Sequence, residues 1–114
     1  IEEVVRSYEL PFFFMEAGCP SRMGSAAIPN DWSLPGEPSQ EEQSRFYQAM
    51  FTHCKSRDWV QGFMLWDWPA RLYPAEEGPQ NDDYCMYGKE AAGIIKEYYT
   101  SQINYYKEVK TSND

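Results

Sequence analysis

The 114-residue sequence predicts an α/β fold that forms part of a (β/α) barrel. Two apolar runs, Phe12–Glu16 and Val60–Trp68, have the length and composition of strands, and helical patterns lie before, between and after them. The connections after the two strands are long, over 17–38 and 70–87, whereas only 57–59 follow the middle helix. Long loops after strands and short loops after helices are typical of a barrel whose site lies at the carboxyl ends of its strands.

The first helix and the first strand are predicted to meet at Pro11. Residues 1–10 carry an apolar stripe at helical spacing, which Pro11 ends because proline cannot continue a helix. Phe12–Glu16 is continuously apolar up to its final acid, so we expect this strand to be buried on both faces. The strand–helix–strand order predicts two parallel strands with a right-handed crossover.

A capping box is predicted at the start of the middle helix, since Glu42 follows Ser39 by three residues. In that motif the serine hydroxyl accepts from the N–H of Glu42, and the carboxylate reaches back to the N–H of Ser39. The apolar residues follow a helical period and predict one buried face: Phe46, Tyr47, Met50, Phe51 and Cys54. The helix is expected to end near Ser56.

The last helix is predicted to begin near Lys89 and to pack along one long face. The residues on that face are Ala91, Ile94, Ile95, Tyr98, Gln102, Tyr105, Tyr106 and Val109. The tail, 110–114, is expected to fray, because chain ends are poorly ordered unless they are tied down.

Two parallel strands cannot close a barrel, and each would leave an unpaired edge. We therefore expect 1–114 to be a single domain fragment of a barrel catalytic domain. A missing amino-terminal portion of the barrel, or self-association, would complete it. The sequence begins IEEVVRSYEL, without Met, which indicates a helix already under way.

Charge and composition argue against several classes of function. The chain has 18 acidic and 10 basic residues and a net charge of −8, which does not suit nucleic acid or an anionic membrane surface. It contains no apolar run of about twenty residues, which a membrane-spanning helix would need. His53 is the one histidine and the three cysteines share no close spacing, so we expect no metal site and no cofactor.

Glu16 is the most informative polar residue, because a rigid strand would hold it at its carboxyl end. A carboxylate held there can act as a nucleophile or base, or it can be a solvated acid at a strand terminus. Trp66 and Trp68 end the second strand, and alternation sends both to one side and Asp67 to the other. Indole faces stack on sugar rings, so this combination indicates a carbohydrate site, with core packing of both indoles as the alternative.

Several motifs, taken in order, resemble the carboxyl-terminal part of a clan-A (β/α)8-barrel glycoside hydrolase, most closely the β-mannanases of glycoside hydrolase family 113. The run FFFMEAGCPS is similar to that family's seventh strand, and Trp32 lies in the loop that follows. EEQSRFYQAM is similar to the next helix, GFMLWDW to the eighth strand, and GKEAAGIIKEYY to the start of the eighth helix. The resemblance covers residues 10 to 99.

This resemblance implies that the chain supplies strands 7 and 8 of a retaining enzyme that hydrolyses β-linked, mannan-like polysaccharide or oligosaccharide. Glu16 would be the catalytic nucleophile and Trp66 the platform under the sugar at the scissile bond. Trp32 and Trp68 would line the cleft. In this clan the partner acid comes from the fourth strand, outside these residues, so we expect the fragment alone to be inactive.

Two positions depart from the family pattern, because Met15 replaces a typical Thr and Cys19 replaces an aromatic residue. Both are expected to alter the surroundings of the nucleophile and the substrate preference. Two alternatives stay open: a non-catalytic carbohydrate-binding or structural protein derived from a barrel, and an α/β module whose aromatic residues serve oligomer contacts. The second would bury Trp66 and Trp68 in a subunit interface.

Overall fold

Helices and strands alternate along the chain, as the sequence predicts. The structure, a computed structural model, describes residues 1–112. Its elements are α1 Glu2–Tyr8, β1 Phe12–Ala17, α2 Gln40–Cys54, β2 Val60–Leu65 and α3 Glu90–Ser112. The two long loops each contain a short 3₁₀ helix, at Ser25–Ala27 and Ala75–Gln80. No helix in the described range is both long and apolar enough to cross a membrane.

The strands β1 and β2 form a two-stranded parallel sheet, which confirms the predicted pairing. Phe12 lies opposite Val60, and Phe14 lies opposite Phe63. The rings of Phe14 and Phe63 stack with centroids 5.5 Å apart and an angle of 7° between their planes. Phe12, Phe14 and Phe63 therefore form one aromatic layer on the face of the sheet that carries the helices.

The described chain covers only one face of this sheet, so the prediction that β1 is buried on both faces is wrong for residues 1–112. Phe12 and Phe14 are half-buried, whereas Phe13 is 46% exposed and Met15 is 64% exposed. Met64 of β2 is also exposed. The helices pack on the Phe14 side, and no described segment lies over Phe13.

The core lies between α2, α3 and the covered face of the sheet. Tyr47, Phe51, Met86 and Ala91 form its buried cluster. The rings of Phe51 and Tyr98 stack with centroids 4.0 Å apart and an angle of 7° between their planes. These contacts confirm the predicted apolar face of α2 and the first half of the predicted face of α3.

The second half of α3 departs from the prediction, because Tyr105 and Tyr106 are exposed. The reason is geometric: α3 has 23 residues and α2 has 15. At about 1.5 Å per residue, α3 is roughly 12 Å longer than the helix on which it packs. The helix continues to Ser112, so the predicted fraying is not observed at 110–112, and residues 113–114 lie outside the described part.

The start of α2 confirms only half of the predicted capping box. The Ser39 hydroxyl accepts a hydrogen bond from the Glu42 N–H at 3.2 Å. The reciprocal bond is absent, because the Ser39 N–H donates to the carbonyl of Ser21 at 2.7 Å. The Glu42 carboxylate instead accepts from the Ala26 N–H at 3.2 Å. The Ser39 N–H and the Glu42 carboxylate therefore both bond to the loop after β1, and these bonds join that loop to the start of α2.

Candidate active site

A cleft of about 710 Å³ lies at the carboxyl ends of the two strands. Glu16 and Trp66 contribute to it from the ends of β1 and β2, and Trp32 contributes from the loop after β1. Tyr84 closes part of the wall from the loop after β2. Three of the four predicted site residues therefore share one cleft, and Trp68 does not line it.

An irregularity in β1 directs the Glu16 side chain. Phe14 and Ala17 are three positions apart, but they lie opposite β2 residues that are only two apart. One extra residue in a strand interrupts the alternation of its faces and re-aims the side chains beside it. Met15 and Glu16 are accordingly both exposed, although strict alternation would send them to opposite faces. Nothing in the sequence pattern indicated this bulge.

The ends of the two strands lie very close together next to Glu16. The Trp66 N–H donates to the Ala17 carbonyl at 2.9 Å, one residue beyond the end of β2. A Cβ atom on Gly18 would lie 2.1 Å from the Trp66 carbonyl oxygen, so only glycine fits there. The buried Tyr47 hydroxyl donates to the same oxygen at 3.5 Å. These contacts hold the Trp66 backbone beside the end of β1.

The predicted orientation of Trp68 and Asp67 is wrong, because the strand ends at Leu65 and alternation does not extend to them. Asp67, expected to point away, lines the cleft. Trp68 lies outside it and packs edge-on against Tyr87, with ring centroids 6.0 Å apart.

A buried glutamine joins the two loops that form the cleft walls. Gln43 of α2 is fully buried, and its Nε2 donates to the Cys19 carbonyl and to the Tyr84 carbonyl, both at 2.9 Å. Cys19 belongs to the loop after β1 and Tyr84 to the loop after β2. This role was not predicted, although Gln43 precedes Tyr47 by four residues and so lies on the apolar side of the helix.

A buried lysine makes a second connection between the same loops. Lys89 is only 5% exposed, and its Nζ donates to Ser21 Oγ at 2.6 Å, Asn81 Oδ1 at 2.8 Å and the Asp83 carbonyl at 2.8 Å. Burial lowers the pKa of Lys89 to about 8, against the opposing effect of nearby acidic groups. The sequence predicts only that Lys89 lies near the start of the last helix.

The two departures from the family pattern lie outside the cleft wall. The Cys19 thiol is buried 3.2 Å from the Ser25 hydroxyl, and burial raises its pKa. Met15 lies on the uncovered face of the sheet. Within residues 1–112, no three His, Cys, Asp or Glu side chains lie close enough together to hold a metal ion.

The cleft combines the Glu16 carboxylate and the Trp66 indole, at the ends of parallel strands, with the Trp32 indole from a loop, and indole faces can stack on sugar rings. Residues 1–89 match the family model described as Glycoside Hydrolase Family 113. The chain belongs to this family of glycoside hydrolases, which confirms the resemblance drawn from the sequence. No protein among the curated sequences matches the chain.

Solved structures of the same family are similar to the chain. A complex of a family 113 β-1,4-mannanase has 52% identity and a TM-score of 0.87, over 89% of this chain and 33% of that one. Another structure of a family 113 β-1,4-mannanase has 53% identity and a TM-score of 0.85, over 88% and 32%. A family 113 β-mannanase from Alicyclobacillus acidocaldarius, in complex with ManMIm, has 45% identity and a TM-score of 0.80, over 86% and 32%.

These alignments show that the chain spans about a third of the length of the solved relatives. The fold therefore agrees with one portion of a family 113 enzyme. The α/β content and the parallel sheet are the features that the comparison supports.

The Gly18→Ala variant is expected to be destabilised by about 1–3 kcal/mol, because its methyl group collides with the Trp66 carbonyl and forces the backbone to shift. Gly93→Ala is the matched control. A Cβ atom there meets nothing within 4 Å, and alanine in a helix interior is expected to stabilise by about 0.5–1 kcal/mol. Thermal unfolding of both variants measures the difference. Equal melting temperatures would contradict the close approach at Gly18.

Lys89 is expected to make stability depend on pH in the alkaline range. Its pKa is about 8 in the folded protein, against an ordinary value of 10.5, so between these values the unfolded chain binds more protons. Its contribution to the free energy of unfolding therefore rises as the pH increases from about 8 to 10.5.

Urea unfolding of the wild type and Lys89→Met over this pH range measures the effect. The difference in unfolding free energy, wild type minus variant, should grow with pH. A difference that stays constant or shrinks would show that the pKa of Lys89 is not lowered.

Proposed function

We propose that this chain is part of a retaining glycoside hydrolase that acts on β-linked, mannan-like polysaccharide or oligosaccharide. Its membership of family 113 and its similarity to β-1,4-mannanases support this proposal. The observation that carries it is the shared cleft of Glu16 and Trp66 at the carboxyl ends of two parallel strands.

The chain is proposed to supply strands 7 and 8 of a (β/α)8 barrel, as one domain fragment over 1–114. The uncovered apolar face of the sheet supports this, since Phe13, Met15 and Met64 would lie against the remaining barrel. Each strand also has only one neighbour within residues 1–112. The missing amino-terminal portion, which the length of the solved relatives suggests, would pair both open edges.

Glu16 is proposed as the catalytic nucleophile. Its carboxylate oxygen attacks the anomeric carbon, and the glycosidic carbon–oxygen bond breaks as the leaving oxygen takes a proton from the partner acid. Water then attacks the same carbon and gives a proton to the partner acid, now acting as a base. The C–O bond to Glu16 breaks, and the sugar leaves with its original β configuration.

The tryptophans are proposed to bind the sugar chain. Trp66 is half-exposed in the cleft beside the end of β1, so its indole face can support the sugar whose bond is broken. Trp32 lines the cleft from the loop after β1 and would contact an adjoining sugar unit of the chain. Trp68 lies outside the cleft beside Tyr87, so it would reach only a sugar unit further along the polymer.

The partner acid is proposed to come from the part of the parent enzyme that this chain lacks. Retention requires a second carboxylate about 5 Å from the nucleophile. By analogy with the clan that the chain resembles, this residue is proposed to lie on the fourth strand. The isolated chain is therefore proposed to have no turnover of its own.

In the full-length parent enzyme, Glu16→Gln is expected to lower kcat on β-1,4-mannan by several orders of magnitude, because an amide oxygen is a poor nucleophile. Glu97→Gln, an exposed position on α3, is the matched control and should keep normal activity. Release of reducing ends measures turnover, and melting temperatures close to that of the wild type show that both variants fold. Normal activity of Glu16→Gln would reject the assignment of Glu16.

A further inference from the structure

Asp67 and Asp83 are the two acidic residues of the cleft for which the proposed mechanism has no role, and Asp67 is the one whose carboxylate has no partner from another residue in residues 1–112. It follows Trp66 directly, is half-buried, and lines the same cleft as Glu16. A ring stacked on Trp66 would therefore lie in the same cleft as this carboxylate.

The carboxylate of Asp67 is available to a ligand. Apart from its own backbone N–H, no group in residues 1–112 donates a hydrogen bond to it. The neighbouring acids differ in this respect. The Asp83 carboxylate accepts from the Tyr84 N–H at 2.8 Å, and Asp82 forms an ion pair with Arg22 at 3.1 Å.

The surroundings of Asp67 make its ionised carboxylate less favourable than it would be in water. Burial raises its pKa, and the nearby Asp83 carboxylate raises it further, while Lys89 acts in the opposite direction. A half-buried carboxylate has lost part of its hydration, and hydrogen-bond donors on a ligand can replace that part. Sugar hydroxyls are such donors, and they would reach it when the cleft is filled.

We propose that Asp67 is a specificity-determining residue that accepts hydrogen bonds from two neighbouring hydroxyl groups of the sugar stacked on Trp66. The inference rests on the proposed function. The indole provides burial for any ring with an apolar face, so it distinguishes hydroxyl patterns poorly. A carboxylate has two oxygens that accept from a vicinal diol, and a site built to bond a hydroxyl rejects analogues that lack it.

Sugar binding without turnover gives the first test. In full-length Glu16→Gln enzyme, calorimetry with a β-1,4-manno-oligosaccharide measures the dissociation constant before and after the further change Asp67→Asn. We expect Asp67→Asn to weaken binding by about tenfold or more, the effect of losing hydrogen bonds to a charged group. Asp58→Asn, at the exposed opposite end of β2, is the matched control and should leave binding unchanged.

Deoxygenated ligands provide a measurement that would not change if Asp67 had only a structural role. Monodeoxy analogues, each lacking one hydroxyl of the ring bound at Trp66, are titrated against the same variants. Enzyme with Asp67 should bind at least one analogue about tenfold more weakly than the parent sugar. In the Asp67→Asn variant, the difference in affinity between the parent sugar and that analogue should fall below about threefold, because the carboxylate that would bond the missing hydroxyl is already removed.

The outcomes separate this inference from the proposed function. Turnover by Glu16→Gln would reject the assignment of Glu16 as the nucleophile in the proposed function, whatever Asp67 does. If the Glu16→Gln enzyme is inactive, and adding Asp67→Asn changes neither its affinity for the sugar nor its preference for the sugar over the deoxy analogues, only the role of Asp67 is overturned. If Asp67→Asn does not fold, Asp67→Ser replaces it as a second uncharged side chain, and the same two results decide.

Discussion

The close approach of the two strand ends is the constraint on which the candidate site depends. The Trp66 N–H bonds the Ala17 carbonyl at 2.9 Å, and Gly18 leaves room for the Trp66 carbonyl where a Cβ atom would stand 2.1 Å away. This contact brings a carboxylate-bearing strand end and an indole-bearing strand end into one cleft. The bulge before Ala17 then directs Glu16 into that cleft. Neither strand could supply the site alone.

Buried polar groups hold the long loops in place above this contact. Gln43 bonds carbonyls of both loops, and Lys89 bonds three oxygens that also come from both. Burying an amine is costly unless its donors are satisfied, and the three short bonds offset that cost. Long loops fixed in this way can form cleft walls with a defined shape, which suits the proposed binding of a sugar chain by Trp66 and Trp32.

The order of elements, the parallel pairing and the family could be predicted from the sequence, because apolar periodicity, loop length and local motifs carry that information. The bulge at Glu16 and the end of β2 at Leu65 could not, since both depend on register between distant segments. The same limit explains why Asp67 was expected to point away from the cleft. Lys89 was missed because its partners lie in loops whose paths no local pattern fixes.

The role of Glu16 as nucleophile is tested most directly by labelling the full-length parent enzyme with a 2-deoxy-2-fluoro β-mannosyl fluoride and mapping the label by mass spectrometry. Fluorine at C2 slows breakdown of the glycosyl–enzyme ester, so a working nucleophile stays modified. We expect one glycosyl group per enzyme, attached to Glu16. Attachment to another carboxylate such as Asp67, or an active enzyme that takes no label, would contradict this role.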